Sequence, residues 1–165
     1  VTYNGGLKEP EIRVFDADGE ELQITKDFVT FYEFWPEYVG NYTVQVVFKG
    51  NYSGETELPY KLLPRAPKSA SANLNSALSL EGYNDITFKW DQVSEAAGYD
   101  IYFKKSTASK YTFMTSTTKT SVTKKNLAAG VKYDFKVVPY GKCKKDGAKI
   151  VGKKVKIVSC YIFYN

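Results

Sequence analysis

The sequence predicts an all-β fold built from two units in tandem. Tyr, Phe, Val, Thr and Ile crowd into short runs, and the helix-forming residues never recur with a sustained 3.6-residue period. Aromatic residues make up 16% of the chain and hydrophobic residues 43%, so there is enough apolar surface for a packed core. The 165 residues suffice for one large domain or two small ones, and length alone does not decide between them.

The charge of the chain changes sign near Pro64, and this change marks the predicted boundary. Residues 1–64 contain five Lys or Arg against eleven Asp or Glu, a net charge of −6, whereas residues 65–165 contain eighteen against seven, a net charge of +11. The stretch 63–71 holds two prolines within four residues, which stiffen it toward an extended path. We therefore predict two domains, residues 1–64 and 65–165, with limited hinge motion and with acidic side chains of one facing lysines of the other.

In the first unit, runs of strand-forming residues are bounded by Gly, Asp, Asn or Pro. The predicted strands are residues 11–15, 28–32, 41–48 and 56–62. Between the first two, Asp16-Ala17-Asp18-Gly19 predicts a turn in which Gly19 takes a positive φ. The acidic run from Asp16 to Glu21 superficially resembles a calcium loop, but a third ligand pair and a glutamate at the twelfth position are missing, so we favour the turn.

The second unit shows strand-forming runs about ten residues apart, which is typical of a β-sandwich. The predicted strands are residues 86–90, 98–104, 111–115, 121–123, 132–140 and 153–159. Side chains alternate in the fifth of these, where Tyr133, Phe135 and Val137 share one face and the intervening charged residues share the other. One face of this strand is therefore predicted to be dry.

The two cysteines, Cys143 and Cys160, are predicted to be free thiols. If Lys145-Asp146-Gly147 turns a hairpin, Cys143 lies near the turn and Cys160 lies near the far end of the return strand. Bridged Cα atoms must lie within about 7 Å of each other, and strands rise about 3.3 Å per residue, so this spacing argues against a disulfide.

The second unit resembles a fibronectin type III domain over nearly its whole length. The residues that carry the resemblance are Trp90, then Ala97-Gly98-Tyr99-Asp100-Ile101-Tyr102, then Leu127-Ala128-Ala129-Gly130-Val131-Lys132-Tyr133-Asp134-Phe135-Lys136-Val137. The resemblance implies that Trp90 packs in the core. It also implies that the hydroxyl of Tyr133, which follows a Leu-x-x-Gly turn, bonds the backbone at a strand crossing.

The first unit resembles the short β-rich repeats of surface proteins in gut and soil Firmicutes. The matching stretches are Tyr3-Asn4-Gly5 with Pro10, Asp16 to Gly19, Val39 to Val44 and Gly50 to Gly54. This resemblance implies an immunoglobulin-like fold, an extracellular, wall-associated or secreted setting, and no activity. With both resemblances, the expected fold is two tandem immunoglobulin-like β-sandwich domains, the second of them fibronectin type III-like.

The first unit departs from that repeat pattern at residues 33–38, where bulky rings stand in place of small polar residues. Exposed, rigid aromatic side chains are what a sugar ring or a partner protein stacks on. We therefore predict that Phe34, Trp35 and Tyr38 bind a ligand. The alternative is that Trp35 packs into the core or between the two units.

No catalytic machinery is predicted. The chain contains no histidine, which removes Ser-His-Asp and Cys-His hydrolysis and most zinc sites. A carboxylate pair could hydrolyse glycosides, but the acidic residues cluster on a predicted solvated turn, where the pKa of a general acid is not raised. A Gly-rich phosphate loop is also missing. We expect no catalytic residue, no cofactor and no metal.

Lysines crowd the second unit and predict a basic face. They are Lys104, Lys105, Lys124, Lys125, Lys142, Lys144, Lys145, Lys149, Lys153 and Lys154. Such a face could attract nucleic acid, teichoic acid or anionic glycans, but arginine for bidentate phosphate recognition is scarce. We favour a solvated, aggregation-resistant face and expect no specific nucleic acid.

These predictions describe a protein that works by binding and spacing. No apolar run approaches the roughly 18 residues of a membrane helix, so no membrane insertion is expected. The chain opens in strand-like sequence rather than in a signal peptide, so we expect a segment of a larger bacterial protein. The expected function is an extracellular spacer or adhesion segment with a glycan or protein partner, and the alternative is a carbohydrate-binding accessory module of a glycan-degrading enzyme.

Overall fold

The structure, a computed structural model, describes residues 2, 9–32, 38–75, 83–153 and 155–162. Regular secondary structure in this part of the chain is entirely β, which confirms the predicted fold class. The strands described there are β1 (Phe28–Tyr32), β2 (Gly40–Phe48), β3 (Glu55–Leu62), β4 (Ala70–Asn75), β5 (Tyr83–Trp90), β6 (Gly98–Lys105), β7 (Thr112–Thr117), β8 (Ser121–Ala128), β9 (Lys132–Lys142), β10 (Lys149–Val151) and β11 (Lys156–Tyr161).

Strands β1, β2 and β3 form an antiparallel sheet in that order, which we call the N-terminal sheet. Its inner face carries Phe28 and Val46, which are almost completely buried. Leu22 completes this core, with Ile12 and Val14 packed against it. The segment before β1 therefore covers one face of the sheet.

The predicted strand at residues 11–15 is wrong. Only Phe15 forms a bridge, with Glu21, and the segment adds no strand to the N-terminal sheet. Two tight turns explain why this segment forms no strand. One turn begins directly after Phe15, and the other begins at Gln23, whose N–H donates to the carboxylate of Asp27 at 2.9 Å. The residues that pair around the first turn are too few to form a ladder.

Strands β4 to β11 form two sheets packed face to face, which we call the C-terminal sandwich. One sheet has the order β4-β5-β8, and the other has the order β10-β9-β6-β7, with β11 also beside β9. The rings of Phe88 and Phe135, one from each sheet, lie 5.5 Å apart in the core between them. Tyr133 and Val137 are buried with Phe135, so the predicted dry face of β9 is confirmed.

Two buried tyrosines hold backbone at the edges of this core. The hydroxyl oxygen of Tyr133 accepts a hydrogen bond from the N–H of Ala128 at 3.3 Å. The hydroxyl oxygen of Tyr99 accepts one from the N–H of Val93 at 2.9 Å. Trp90 is only 5% exposed and packs against Tyr99. The places that the resemblance implied for Trp90 and Tyr133 are thus confirmed.

The structure contains two strands that the sequence pattern did not predict. Strand β4 begins inside the predicted linker, and most of its residues are small or polar. The carboxylate of Asp91 fixes the start of this strand by accepting the N–H of Ser69 at 2.9 Å. Strand β10 has only three residues. The predicted strand at residues 153–159 is shifted to β11, because the Gly152 N–H donates to the carbonyl of Pro139 before the chain turns.

The N-terminal sheet and the C-terminal sandwich meet in a small apolar cluster that we call the joint. Val39 and Leu63 pack there against Cys143 and Ile150, and all four are buried. A Cβ placed on Gly141 would lie 2.5 Å from Cγ1 of Val39, so the Val39 side chain packs directly on the backbone of Gly141. Contact between the oppositely charged parts was predicted, but apolar packing rather than acid–lysine pairing forms its centre.

Candidate functional site

A cleft of about 1150 Å³ opens beside the joint. Strands β2 and β3 of the N-terminal sheet form one wall, and the turn that follows β9 forms the other. Its lining brings together aromatic rings and ammonium groups, among them Tyr38, Tyr42, Tyr60, Lys61, Lys144 and Lys145. This cleft is the candidate functional site, because it brings aromatic rings and ammonium groups together from distant parts of the chain.

Strand register builds the aromatic wall of the cleft. Tyr42 lies directly opposite Tyr60 across β2 and β3, and their rings stack with centroids 5.5 Å apart. Tyr32 of β1 meets the ring of Tyr60 edge-on at 6.4 Å. Cross-strand aromatic pairs stabilise a sheet, and here they also fix the rings in place. The wall is therefore part of the sheet rather than a loop.

The hydroxyl of Tyr60 is buried and has no hydrogen-bond partner among the described residues. Burial raises the pKa of Tyr60 to about 12, with smaller contributions from Tyr32, Tyr42 and Glu9. The hydroxyl stays protonated at neutral pH and can both donate and accept. A buried polar group without a partner costs on the order of 1–3 kcal/mol, so a ligand that pairs with it would gain from doing so.

Tyr38 stands at the mouth of the cleft and is 49% exposed. Its backbone carbonyl accepts a hydrogen bond from the hydroxyl of Tyr42 at 2.6 Å. The ammonium of Lys144 lies 3.1 Å from the centroid of its ring. Of the three predicted ligand-binding residues, the structure describes Tyr38 alone, since Phe34 and Trp35 lie outside the described residues. Exposure of Tyr38 is what the prediction required of it.

The opposite wall is a hairpin turn, as the sequence predicted. Gly147 has a φ of +71°, and its N–H donates to the carbonyl of Cys143 at 2.8 Å. The carboxylate of Asp146 accepts the N–H of Ala148 at 2.9 Å, and this bond lowers the pKa of Asp146. The turn is thereby held in one conformation, with Lys144 and Lys145 lining the cleft.

The two cysteines are free thiols, which confirms the prediction. Cys143 is buried at the joint, whereas Cys160 lies in β11 opposite Tyr133. Burial raises the pKa of Cys160. A nucleophilic thiol requires a lowered pKa and an electropositive, accessible setting, so neither position favours thiolate chemistry.

The acidic turn at Asp16 uses its carboxylate to hold its own backbone. One oxygen of Asp16 accepts the N–H groups of Asp18 and Glu20, at 3.0 and 2.9 Å. Gly19 has a φ of +89°, so the turn that we favoured over a calcium loop is confirmed. Within the described ranges, no three His, Cys, Asp or Glu side chains gather in a way that could hold a metal ion.

The predicted basic face is less solvated than expected. The Lys104 ammonium lies 3.6 Å from a carboxylate oxygen of Asp134, and that of Lys149 lies 2.7 Å from one of Asp100. For Lys104, whose side chain is only 16% exposed, the expected solvation is wrong, whereas Lys149 stays 44% exposed while it pairs with the largely buried Asp100. Lys154 lies outside the described residues.

Sequence reasoning missed most of the cleft. Tyr42 and Tyr60 are eighteen positions apart, and only the register of β2 and β3 makes them neighbours. Lys144 and Lys145 were read as members of a general basic face. A partial signal was present in the hairpin prediction, because a tight turn places Lys144 and Lys145 together at the end of a strand.

No protein-family model matches the chain, and no curated protein matches it. A solved cytokine receptor complex matches with a TM-score of 0.56 and 14% identity, covering 98% of this chain and 82% of that one. A two-domain fibronectin type III segment of chicken tenascin matches with a TM-score of 0.45 and 19% identity, covering 73% and 65%. The rat CD45 extracellular domains d3–d4 match with a TM-score of 0.42 and 13% identity, covering 96% and 78%.

At these identities the likeness concerns the fold alone. The match to the cytokine receptor complex shows a shared fold. The fibronectin type III resemblance of the second unit agrees with the buried places of Trp90 and Tyr133 in the C-terminal sandwich. The resemblance of the first unit to Firmicutes surface repeats stays a prediction. In the described part of the chain there is no helix long and apolar enough to cross a membrane.

Proposed function

We propose that this chain is a non-catalytic extracellular spacer and adhesion segment of a larger bacterial surface or secreted protein. Its units are residues 1–64 and 65–165, as the charge boundary predicted. Folds of the fibronectin type III and immunoglobulin-like classes are typical of extracellular adhesion and spacer modules. The observation that carries the proposal is the joint, since a spacer has to hold its two units at a fixed distance and angle.

The joint favours a fixed arrangement because it combines apolar burial with the Val39 side chain packed directly on the backbone of Gly141. Val39, Leu63, Cys143 and Ile150 remove apolar surface from water, and moving the units apart would expose it again. Apolar burial between domains opposes their relative motion, and it does so more strongly as the buried surface grows. A segment with a fixed joint would keep the parts of a surface protein on either side of it at a constant distance and angle.

The proposal predicts that the two units tumble together. In ¹⁵N relaxation of the full chain, we expect residues of the N-terminal sheet and of the C-terminal sandwich to give one rotational correlation time. Gly141→Val should push Val39 away and give two distinct times, whereas Gly147→Asn, in open space on the same hairpin, should not. Independent tumbling of the unaltered chain would contradict the spacer function.

A carbohydrate-binding accessory module is the second candidate, favoured by the half-exposed ring of Tyr38 at the mouth of the cleft. In this proposal Phe34, Trp35 and Tyr38 form a stacking platform for sugar rings. On a glycan array, Trp35→Ala and Tyr38→Ala should each reduce binding. Phe113→Ala, which removes another exposed ring from the far sheet, serves as the control. Unchanged binding by both platform variants would contradict this candidate.

A further inference from the structure

We propose that the cleft beside the joint binds acidic oligosaccharides, meaning short chains of sugars that carry carboxylate or sulfate groups. The proposal deepens the carbohydrate-binding candidate by naming its ligand class and moving its centre from the loop to the cleft. It rests on the fixed joint of the proposed function, because strands β2 and β3 supply one wall and the turn after β9 supplies the other.

The charges that line the cleft favour an anion. Lys144 and Lys145 stand on the turn after β9, against the single carboxylate of Asp146 among the described lining residues. That carboxylate is already engaged by the N–H of Ala148. Lys144 is held over the ring of Tyr38, which positions its ammonium without neutralising it. An acidic group entering the cleft therefore meets fixed positive charge.

The uncharged lining favours a sugar over other polyanions. Tyr38 and Tyr42 supply ring surface on which the C–H face of a sugar stacks, and Asn41 supplies an amide that bonds hydroxyl groups. A polyphosphate offers neither an apolar face nor hydroxyl groups, so it would use the lysines alone.

The size of the cleft favours several linked sugars. Its volume of about 1150 Å³ lies above the range of about 300–1,000 Å³ that is usual for small-molecule sites. A single sugar would leave most of the lining uncovered. The expected ligand is therefore an oligomer.

Isothermal titration calorimetry of the full chain tests the proposal. The probes are oligogalacturonate for carboxylates, heparin-derived oligosaccharides for sulfates, neutral cello-oligosaccharides of equal length, and polyphosphate. We expect at least one acidic sugar to bind more tightly than both the neutral sugar and polyphosphate. Lys144→Met should weaken that binding about tenfold, because it removes the charge but keeps the stem over Tyr38.

Lys89→Met is the matched control, since it removes the same charge from an exposed position in β5 and should change affinity less than about twofold. Equal loss in Lys89→Met, equal binding of polyphosphate, or no binding by either acidic sugar would overturn the proposal. Relaxation data on the same samples separate the two failures. If the units tumble together but no acidic sugar binds, only the proposed ligand is contradicted. If the units tumble independently, the fixed joint is contradicted, and the two walls of the cleft are not held together.

Discussion

Tyrosine hydroxyls perform two opposite tasks in this chain. In the C-terminal sandwich, Tyr99 and Tyr133 each accept a backbone N–H, so their oxygens satisfy groups that burial would otherwise leave unpaired. In the N-terminal sheet, Tyr60 buries its hydroxyl with no partner in the part of the chain that the structure describes. The paired hydroxyls stabilise the fold, whereas a buried hydroxyl without a partner reduces stability.

Three Tyr→Phe substitutions separate these tasks. Tyr99→Phe and Tyr133→Phe should each lower the free energy of unfolding by about 1–3 kcal/mol, because each strands a buried N–H. Tyr60→Phe should leave that free energy unchanged or raise it, because it removes a hydroxyl that has no partner. Urea denaturation followed by fluorescence measures all three. A loss at Tyr60 as large as at Tyr133 would show that Tyr60 is structural.

Asp134 ties β9 to its neighbours and predicts an acid-sensitive fold. Burial acts to raise its pKa, but hydrogen bonds from Ser106 and Ser159, together with the charge of Lys104, lower the pKa below its ordinary value. Because the folded state binds this proton less readily than the unfolded state does, the stabilisation is present above the unfolded pKa of about 3.9. It is lost as the pH falls through the lower, folded pKa.

Denaturation at several pH values tests this directly. Between about pH 5 and about pH 2, the wild type should lose more unfolding free energy than Asp134→Asn does, since the variant carries no proton-binding carboxyl at that position. Asp18→Asn, on the exposed acidic turn, is the control and should follow the wild-type profile. Parallel profiles for wild type and Asp134→Asn would refute the assignment.

At the scale of strands, those in which apolar and polar residues alternate regularly were predicted from the sequence, and those without this alternation were missed. Strand β9 alternates apolar and charged residues and was predicted nearly to its ends. Strand β4 reads as small and polar, and only its pairing with β5 makes it a strand. Strand β8 was predicted to end at Thr123 but continues to Ala128, past a register shift opposite Asn84. Pairing partners, which one sequence does not display, decide these cases.

Asn126 lies in the part of β8 beyond its predicted end at Thr123, and its φ is +59°. Its N–H donates to the carboxylate of Asp85 at 3.1 Å, which helps to hold the irregular ladder. Asn126→Ala should lower the unfolding free energy by about 1 kcal/mol, because alanine is strained in the left-handed region. Asn126→Gly should cost much less, since glycine adopts this φ freely. Equal losses in both variants would point to the asparagine side chain instead.

At the scale of the whole molecule, the charge asymmetry predicted a boundary near Pro64 but not the nature of the contact between the N-terminal sheet and the C-terminal sandwich. Pro64 is buried, and the neighbouring Leu63 packs into the joint, so the predicted linker is part of the interface. The cleft could not be predicted for the same reason. The cleft forms where β2 and β3 meet the turn after β9. The local sequence around Tyr42 or Lys144 does not indicate that these two residues line the same cleft.

The two units differ in how far they can stand alone. The C-terminal sandwich encloses one core that includes Phe88, Trp90 and Phe135, whereas the core of the N-terminal sheet is small and centred on Phe28 and Val46. A domain of about 60 residues buries only about 60% of the surface that its unfolded chain exposes, so it is marginal without help. Docking at the joint supplies that help by burying Val39 and Leu63.

Separate expression of residues 1–64 and 65–165 tests this dependence. We expect residues 65–165 to give a dispersed NMR spectrum and a cooperative thermal transition, and residues 1–64 to unfold at a lower temperature than they do in the full chain. Within the full chain, Leu63→Ala should destabilise the N-terminal sheet by about 2–5 kcal/mol, because it opens a cavity in the joint. Hydrogen exchange resolved by residue should show this loss in β1 to β3 and not in β5. If residues 1–64 are as stable alone as in the full chain, the joint contributes contact without stability, and the two units fold independently.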